Sequence, residues 1–507
     1  VTDTGQGIFL NSNTGATLNL TGSLTLSTGA NPGFTATGGG TVNANTASNT
    51  IATTTGTALN VQNTTIGASG LTFRSIASNG AVNGIVLNNT GSTAGLTVTG
   101  TGAPGTGGTI QNASGAGILL TSTRAPSFSW MVVQNGGDDG IRGSGVNGFT
   151  LASSTVFNNG NAVNESGLDF VGGLTGTASI TSSTVNTYAE NGVIVTNASG
   201  SLNLTVTGSS FINASATTGN DGLHLDANDT AAITASITGS TFDNNRGDHF
   251  QFATNATSSG TNNVTFSSNT LTGDRGSPFG NDLGAGITIS TTGSSDTAFT
   301  LANNNIQGAV FPTIGIDLGT ASTAGATLSG TIDGNTIGNA AVAASGGAQS
   351  SGIATVAQGA GTLTVAVTNN TIRQNDGFAG IDILSRDGSP TINATVTGNS
   401  IANPSTGGGN GLLLRNGAIT TDGGFTCAAI TGNSLAGSAV VGLDDFRLRQ
   451  RFLTTVRLPG YGGAAGDTAA VVAFVQGNNP GIETGSATVD FPATGGGFVG
   501  GAACPTP

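Results

Sequence analysis

Short segments in which apolar and polar residues alternate recur along this chain and end in the same way. The shared pattern is an apolar residue, any residue, an apolar residue, two variable positions, Ser or Asn, usually Ser or Thr, and a final apolar residue. Ten copies, spaced 26–35 residues apart, end at Val156, Val185, Phe211, Phe242, Leu271, Ile306, Ile337, Ile372, Ile401 and Leu435. The period of two and the β-branched content predict strands with one buried face and exclude helical repeats.

A second motif, Gly-apolar-any-apolar, lies between the copies of the first. It starts at Gly117, Gly140, Gly167, Gly192, Gly222, Gly286, Gly315, Gly352, Gly380 and Gly411. Each repeat therefore supplies a strand after a glycine turn, a second alternating strand, a tight polar bend and a short third strand. Three short parallel strands per coil, with coils stacked about 4.8 Å apart, describe an all-β fold, the parallel β-helix or β-solenoid.

One small polar residue occupies the same place in every copy, two residues before the final apolar residue. The column reads Ser154, Ser183, Ser209, Ser240, Asn269, Asn304, Asn335, Asn370, Asn399 and Asn433. A polar side chain there can bond its equivalent in the next coil, and Asn tolerates the left-handed backbone of a sharp bend. We therefore predict that the six asparagines form a structural ladder.

The alternation of the two motifs, for example "GLHL" followed by "ASITGSTF", resembles the right-handed β-helix of the pectate-lyase-like superfamily. It resembles more closely the Thr-, Asn- and Gly-rich β-strand-repeat proteins that bacteria secrete or display on their surface. The pattern is most regular over residues 149–435 and looser over 1–148. The resemblance implies a right-handed β-helix over 1–435 and an extracellular or cell-surface location in bacteria. It implies no activity, since β-helices host many functions.

The repeats stop after Leu435, and the composition of residues 436–507 differs. The segment "DTAAVVAFVQGNNPG", which begins at Asp467, predicts a short helix with an Asp N-cap. We expect 436–507 to be a small C-terminal cap that covers the last coil. A disulfide between Cys427 and Cys504, the two cysteines of the chain, would clamp this cap and place the protein outside the reducing cytosol.

Four of the twelve arginines fall within residues 446–457 of this cap. In "FRLRQRF" the arginines alternate with Phe446 and Leu448, so they share one face of a strand that we expect to face solvent. We favour a charged edge strand whose arginines pair with Asp444 and Asp445 and prevent further strand addition. The alternative is an anion- or sugar-binding face.

The charge balance narrows the classes of partner. All twelve basic residues are Arg, against twenty-five acidic residues, for a net charge of −13. Nucleic acid and anionic membrane surfaces require a basic face, so neither is an expected partner. No apolar run approaches the roughly 20 residues of a membrane helix, so we expect no membrane insertion. The composition suits a neutral polar partner such as a polysaccharide or cell-surface glycan.

An acidic residue precedes the first strand in five consecutive coils, at Asp139, Glu165, Glu190, Asp221 and Asp248. Carboxylates stacked roughly 5 Å apart either raise their pKa values or recruit a cation, and Ca²⁺ is the candidate. We favour the alternative that these acids stabilise turns beside glycine and reach into water. No cofactor is expected apart from this candidate Ca²⁺.

These patterns favour a non-enzymatic extracellular structural or adhesive protein, a rigid solenoid on a cell surface or one that assembles end to end into a fibre. End-to-end self-association is expected because "GQGIFLNSN" enters a strand near Val1 without a cover. No catalytic residue is assigned, because the Gly-His-Gly and Arg-x-Lys motifs of the polygalacturonases are absent, although "DD" occurs at Asp138-Asp139. The alternative is a polysaccharide-binding or polysaccharide-cleaving β-helix that uses the acidic column as its groove.

Overall fold

The computed structural model describes residues 5–215, 217–273, 284–402, 408–437, 443–483, 485–491 and 495–507. Strands and turns make up nearly all of these residues, together with one α-helix, Thr468–Asn478. The chain forms two compact units, Val1–Leu225 and Asp226–Pro507, and the boundary falls within the strand Leu223–Ala227. In the described part of the chain, no helix is long and apolar enough to cross a membrane.

Each coil of the first unit contributes a strand to each of three parallel ladders, which we call faces 1, 2 and 3 in chain order. Face 1 contains Ile8–Asn11, Phe34–Thr37, Leu59–Gln62, Ile85–Asn88, Ile118–Thr121 and Val193–Asn197. Face 2 contains Thr17–Asn19, Thr41–Ala44, Thr65–Phe73, Leu96–Val98, Ser127–Ser129 and Ser201–Thr207, while the long strands Ile141–Ala152 and Leu168–Thr181 run through both faces. Face 3 contains Thr25–Gly29, Thr50–Thr53, Ser75–Asn79, Gly108–Gln111, Met131–Gln134, Thr155–Asn159, Thr184–Tyr188 and Ser210–Ala214.

The second unit repeats the three ladders. Face 1 contains Phe250–Ala253, Ile287–Thr291, Ile314–Leu318, Ile353–Gly359, Ala379–Gly388, Asn410–Asn416, Phe446–Gln450 and Ala487–Asp490. Face 2 contains Ala232–Thr238, Thr261–Ser267, Asp296–Ala302, Thr327–Asp333, Thr362–Thr368, Thr391–Thr397, Phe425–Thr431, Thr455–Arg457 and Gly497–Val499. Face 3 contains Thr241–Asp243, Thr270–Thr272, Asn305–Ile306, Thr336–Ile337, Thr371–Ile372, Ser400–Ile401 and Ser434–Leu435. The predicted parallel β-helix with three strands per coil is confirmed, and its right-handed winding stays a prediction.

Apolar side chains in register fill the interior of the coils. On face 2 of the second unit, Phe266 pairs with Leu301, Leu301 with Ile332, Ile332 with Val367, and Val367 with Val396. All five side chains are fully buried. Burying a side chain of this kind stabilises the fold by about 1.5–3 kcal/mol, so these columns hold the coils in stacked register.

The tight bend between faces 2 and 3 has the same backbone in most coils. The residue before the ladder residue is left-handed, with φ of 47–69°, at Ser153, Ser182, Gly208, Gly239, Ser268, Asn303, Gly334, Asn369, Gly398 and Gly432. Because side chains disfavour this conformation, Gly, Asn and Ser occupy the position. The left-handed residue is therefore one position earlier than we expected. The ladder side chains themselves turn inward and are at most 3% exposed.

The six predicted asparagines form a hydrogen-bonded ladder in the second unit. At each step the backbone N–H and the side-chain Nδ2 of one asparagine donate to Oδ1 of the asparagine in the next coil, at 2.9–3.3 Å. Nδ2 also donates to a carbonyl of the preceding coil, as Asn335 does to Leu301 at 2.9 Å. Each carboxamide therefore uses both its hydrogens and its oxygen between coils.

Serines occupy the equivalent bend in the first unit, and their contacts are fewer. The backbone N–H of Ser154 donates to Oγ of Ser183 at 3.1 Å, and that of Ser183 donates to Oγ of Ser209 at 3.2 Å. The hydroxyl of Ser183 donates to Thr181 in its own turn at 2.9 Å. A ladder serine therefore joins neighbouring coils chiefly through its accepting oxygen.

Parallel pairing continues beyond Leu435. The strand Phe446–Gln450 pairs with Asn410–Asn416 on one side and with Ala487–Asp490 on the other. The prediction of an edge strand here is therefore wrong, because a further strand adds to it in spite of its arginines. The boundary at residue 435 between solenoid and cap stays a prediction.

The predicted helix is Thr468–Asn478, and Asp467 caps it by accepting a hydrogen bond from Ala470 N at 2.9 Å. The C-cap residue Asn479 accepts from the backbone and side-chain nitrogens of Asn433 at 3.0 and 2.9 Å. Asn479 is therefore a seventh member of the ladder, and it is the last among the described residues.

The predicted disulfide joins Cys427 and Cys504, whose Cα atoms lie 5.6 Å apart. Cys427 is fully buried in the strand Phe425–Thr431 of face 2. The bond therefore ties the C-terminal segment to the coils of the second unit.

Candidate functional site

Asp139 is the most perturbed member of the predicted acidic column. It is fully buried and accepts hydrogen bonds from Arg142 Nε and from Ser166 N, each at 2.5 Å. Burial raises the pKa of Asp139 to about 7, although the hydrogen bond from Ser166 and the charge of Arg142 oppose this rise. The carboxyl is therefore out of contact with solvent, and it links its own turn, through Arg142, to the next coil, through Ser166.

The other four members of the column also have partners of their own. Glu165 accepts a hydrogen bond from Asn161 N at 2.5 Å, and Glu190 accepts one from Asn164 N. The carboxylate of Asp221 lies 2.7 Å from His224 Nδ1, and Asp248 accepts a hydrogen bond from Ala285 N at 2.6 Å. Within the described residues, no three side chains of His, Cys, Asp or Glu form a group that would hold a metal ion. Contacts with turns agree with the turn interpretation, but its expectation that the acids reach into water is wrong for Asp139 and Asp221, which are 0% and 2% exposed. The calcium column stays a prediction.

His249, which follows the tripeptide Arg246-Gly247-Asp248, is a core residue. Its side chain is fully buried, and Asn245 Nδ2 lies 3.0 Å from its Nδ1. Desolvation lowers the pKa of His249 to about 3. The imidazole is therefore neutral at physiological pH and lies below the surface that a ligand would contact.

Two pockets lie on the outer side of face 1 of the second unit. The side chains of Ala354, Leu384 and Leu413 alternate with core residues and point outward, yet they are only 6–8% exposed. Segments that lead into face 1 lie beside these side chains and leave the two pockets. We call them the arginine pocket and the phenylalanine pocket.

The arginine pocket has a volume of about 470 Å³. Arg415 comes from the strand Asn410–Asn416 and Arg447 and Arg449 come from Phe446–Gln450, with Arg415 and Arg449 in register. The lining also includes Gln349, Asp376 and Phe378, from segments that precede strands of face 1. Two neighbouring strands, together with the segments that precede two earlier strands of face 1, therefore build the pocket.

The three arginines of this pocket differ in their partners. Nε of Arg415 donates to Oδ1 of Asp382 at 3.1 Å, and Nη2 of Arg447 lies 2.9 Å from Oδ2 of Asp490. Arg449 forms no hydrogen bond or ion pair with any described residue, and its Nε is buried. Burial, together with the charges of neighbouring arginines, lowers the pKa of Arg449.

The expected pairing of these arginines with Asp444 and Asp445 is wrong for Arg447, which pairs with Asp490. The carboxylate of Asp445 instead accepts hydrogen bonds from the backbone nitrogens of Gly437 and Glu483, at 2.7 and 2.8 Å. Asp445 is therefore committed to the turns at the end of the solenoid and does not neutralise the strand.

An exposed aromatic ring lies beside the charges. Phe378 is 60% exposed, and Cζ of Arg415 lies 5.6 Å from the centroid of its ring. A cation–π contact at an exposed site contributes about 0.5–1 kcal/mol. The ring and the guanidinium together offer a surface for a ligand that has both an apolar side and a negative charge.

The phenylalanine pocket, of about 310 Å³, lies on the same face. Its lining includes Phe311, which is 45% exposed, and Asp317, which accepts a hydrogen bond from Gln358 Nε2 at 3.2 Å. Burial raises the pKa of Asp317 above its ordinary value. Asp248 also lines this pocket, so one member of the acidic column reaches it.

The alternation in the sequence predicted Arg447 and Arg449 as a candidate basic face, but no pattern predicted Arg415, Phe311 or Phe378 as part of the site. The two phenylalanines lie in variable segments between the motifs, where no period indicates which way a side chain points. One signal was available, because aromatic residues make up only 5% of the chain and these two interrupt polar turns.

No protein family, curated protein or solved structure among those compared with this chain matches it. Its function therefore has to follow from its own fold and its own pockets.

Proposed function

We propose that this protein is a non-enzymatic extracellular adhesive element, a β-solenoid that binds a polysaccharide or cell-surface glycan through face 1 of its second unit. The supporting observation is the pair of pockets in which outward apolar side chains are covered while Phe311 and Phe378 stay exposed. Exposed aromatic side chains in a concave surface are typical of binding sites.

Two further features support an extracellular role. The disulfide between Cys427 and Cys504 suits an oxidising compartment. The resemblance of the repeats to secreted and surface-displayed bacterial β-strand-repeat proteins favours the same location. A scaffold with few charges and a continuous apolar interior also suits a structural role.

Binding to a panel of immobilised polysaccharides tests this proposal. We expect saturable binding to a subset of the panel and a clear loss of affinity when Phe311 and Phe378 are both replaced by Ala. Phe9→Ala is the matched control, because Phe9 is a 57% exposed phenylalanine of the first unit. Absence of saturable binding, or an equal loss in the control, would contradict the proposal.

End-to-end assembly into a fibre is a separate part of the proposal. It concerns the segment at Val1, and residues 1–4 lie outside the described residues. Sedimentation over a wide concentration range tests it, because a fibre-forming protein grows in mass as concentration rises. A constant monomer mass would contradict assembly into a fibre and would leave the proposed adhesive role unaffected.

A polysaccharide-cleaving enzyme is a second candidate, favoured by the pKa of about 7 that burial gives Asp139. A carboxyl that titrates near neutral pH suits general acid–base catalysis, but Asp139 is fully buried, so this candidate requires a movement that brings the carboxyl to the substrate. Arg142 joins it to Asp138, with ion pairs of 2.6 Å to Asp138 and 2.5 Å to Asp139. Release of reducing ends or unsaturated sugars by the wild type but not by Asp139→Asn would establish this candidate. No release from any polysaccharide that binds would remove it.

A further inference from the structure

Arg449 in the arginine pocket is a charged group that the fold does not use. It lies in the interior strand Phe446–Gln450, where its Nε is buried without a hydrogen-bond partner and its guanidinium pairs with no described acid. A buried donor without a hydrogen-bond partner costs free energy, and the half-buried charge of Arg449 loses part of its hydration. The ion pairs of Arg415 and Arg447 offset that cost for their own side chains, and Arg449 has no such compensation.

Arg449 is influenced by three like charges and one opposite charge, those of Arg451, Arg415, Arg447 and Asp490. Its register partners are Arg415 on one neighbouring strand and Asp490 on the other, and Arg447 and Arg451 flank it two residues away on its own segment. Asp490 is engaged by Arg447, whose Nε and Nη2 donate to it at 3.2 and 2.9 Å. The chain as a whole has a net charge of −13, but positive charge is in local excess around Arg449 and attracts an anion to the arginine pocket.

We propose that the arginine pocket binds the anionic group of an acidic sugar residue, a carboxylate or a sulfate, with Arg449 as its principal contact. This inference rests on the proposed adhesive function and names the ligand class of the same face. A guanidinium presents a fork of N–H donors that suits an oxyanion. The proposed ligand therefore supplies the charge that Arg449 lacks.

The remaining lining selects a sugar rather than a bare ion. The 60% exposed ring of Phe378 offers an apolar surface to the C–H face of a sugar ring. Gln349 and Asp376 supply amide and carboxylate groups that suit sugar hydroxyls. A volume of about 470 Å³ lies within the range of small-ligand sites. An inorganic anion would use the arginines alone, whereas an acidic sugar uses every part of the lining.

Isothermal titration with dextran sulfate, polygalacturonate and unmodified dextran tests the inference. We expect binding of one or both acidic polymers, no binding of dextran, and weaker binding at higher ionic strength. Arg449→Gln should lower the affinity about tenfold, the size expected for loss of a charge-assisted contact. Phe378→Ala should lower affinity for the polymer while leaving any binding of free sulfate unchanged. The preferred polymer identifies the anionic group as sulfate or carboxylate.

Arg74→Gln is the matched control, since Arg74 is an exposed arginine of the first unit and the substitution changes net charge equally. Equal affinities of the wild type and Arg449→Gln, or equal losses in both variants, would overturn the pocket as the site. Failure of the wild type to bind either acidic polymer would overturn the ligand class.

Adhesion of the same variants to glycan-coated surfaces separates this inference from the proposed function. If Arg449→Gln adheres as well as the wild type, the inference fails and the adhesive function stands. If the wild type binds an acidic polymer through Arg449 but adheres to no surface, the adhesive function fails and the pocket stands.

Discussion

The serine ladder of the first unit and the asparagine ladder of the second occupy equivalent bends of their coils, yet they join neighbouring coils to different degrees. A serine hydroxyl has one proton, and Ser183 gives it to Thr181 in its own turn. A carboxamide has two, and Asn335 sends one to the coil before it and one to the coil after it. Two regions whose bends have the same backbone conformation therefore differ in how many side-chain hydrogen bonds cross between their coils.

Removing the disulfide should lower the free energy of unfolding more than any other change, and we expect only the second unit to be destabilised. Replacing Cys427 and Cys504 by Ala frees a loop with a sequence separation of 77 residues. On the chain-entropy estimate the free energy of unfolding falls by about 4 kcal/mol. Urea denaturation followed by circular dichroism measures the loss, and hydrogen exchange locates it. Reduction of the wild-type protein should give the same result. Unchanged protection in the second unit would contradict the prediction.

Asn335→Ala should cut the asparagine ladder at its centre. The substitution leaves the backbone N–H and one side-chain N–H of Asn304, and the carbonyl of Leu301, without their partners in a buried site. Buried polar groups left unsatisfied cost about 1–3 kcal/mol each, and partial relaxation leaves an expected loss of about 3 kcal/mol in total. Urea denaturation measures it. A loss no greater than that of Ser183→Ala would remove the distinction between the two ladders.

The first unit should also respond to pH through Asp139. Its pKa is raised from 3.8 to about 7, so the folded chain holds this proton more tightly than the unfolded chain. The free energy of unfolding should therefore fall as pH rises from about 4 to 7, by at most about 1.4 kcal/mol for each pH unit, because this pKa already includes the opposing contacts of Arg142 and Ser166. Asp139→Asn should flatten this slope in denaturation series at several pH values. Asp296→Asn, which removes an exposed acid of the second unit, is the control variant for the change in net charge.

Of the four changes considered, Ser183→Ala should lower the free energy of unfolding least. It removes the acceptor for the backbone N–H of Ser154 and no other cross-coil bond at normal length. The expected loss is about 1 kcal/mol. Fluorescence of Trp130, the only tryptophan of the chain, follows the first unit during urea denaturation. A loss as large as that of Asn335→Ala would show that the number of cross-coil bonds does not decide stability here.

The repeated parts of this fold could be predicted from the sequence because each coil imposes the same constraint. Only a residue with a small polar side chain fits the inward position of the bend, so Asn304 and Asn370 stand out in a column. The column of ladder residues did not predict Asn479, and it did not predict the strand Ala487–Asp490 that pairs with Phe446–Gln450. Asn479 follows a helix, and 46 residues separate it from Asn433, so no period leads to it.

The candidate site could be predicted only in part, for the same physical reason. Arg447 and Arg449 lie on a strand, where alternation gives their direction. Phe378 lies in a turn whose length varies from coil to coil, and its position depends on how that turn folds over face 1. Asp490, the partner of Arg447, lies in a strand that the sequence pattern did not reveal.

The hydrogen bonds from Asn433 to Asn479 have a consequence for how the length of such a chain can evolve. The helix C-cap contacts the ladder through one carboxamide oxygen, and every asparagine from Asn269 to Asn433 presents the same donors to whatever follows it. A whole coil duplicated or deleted in frame within this stretch would leave the terminating contact intact. The asparagine contact that ends the ladder therefore sets no limit of its own on the number of coils.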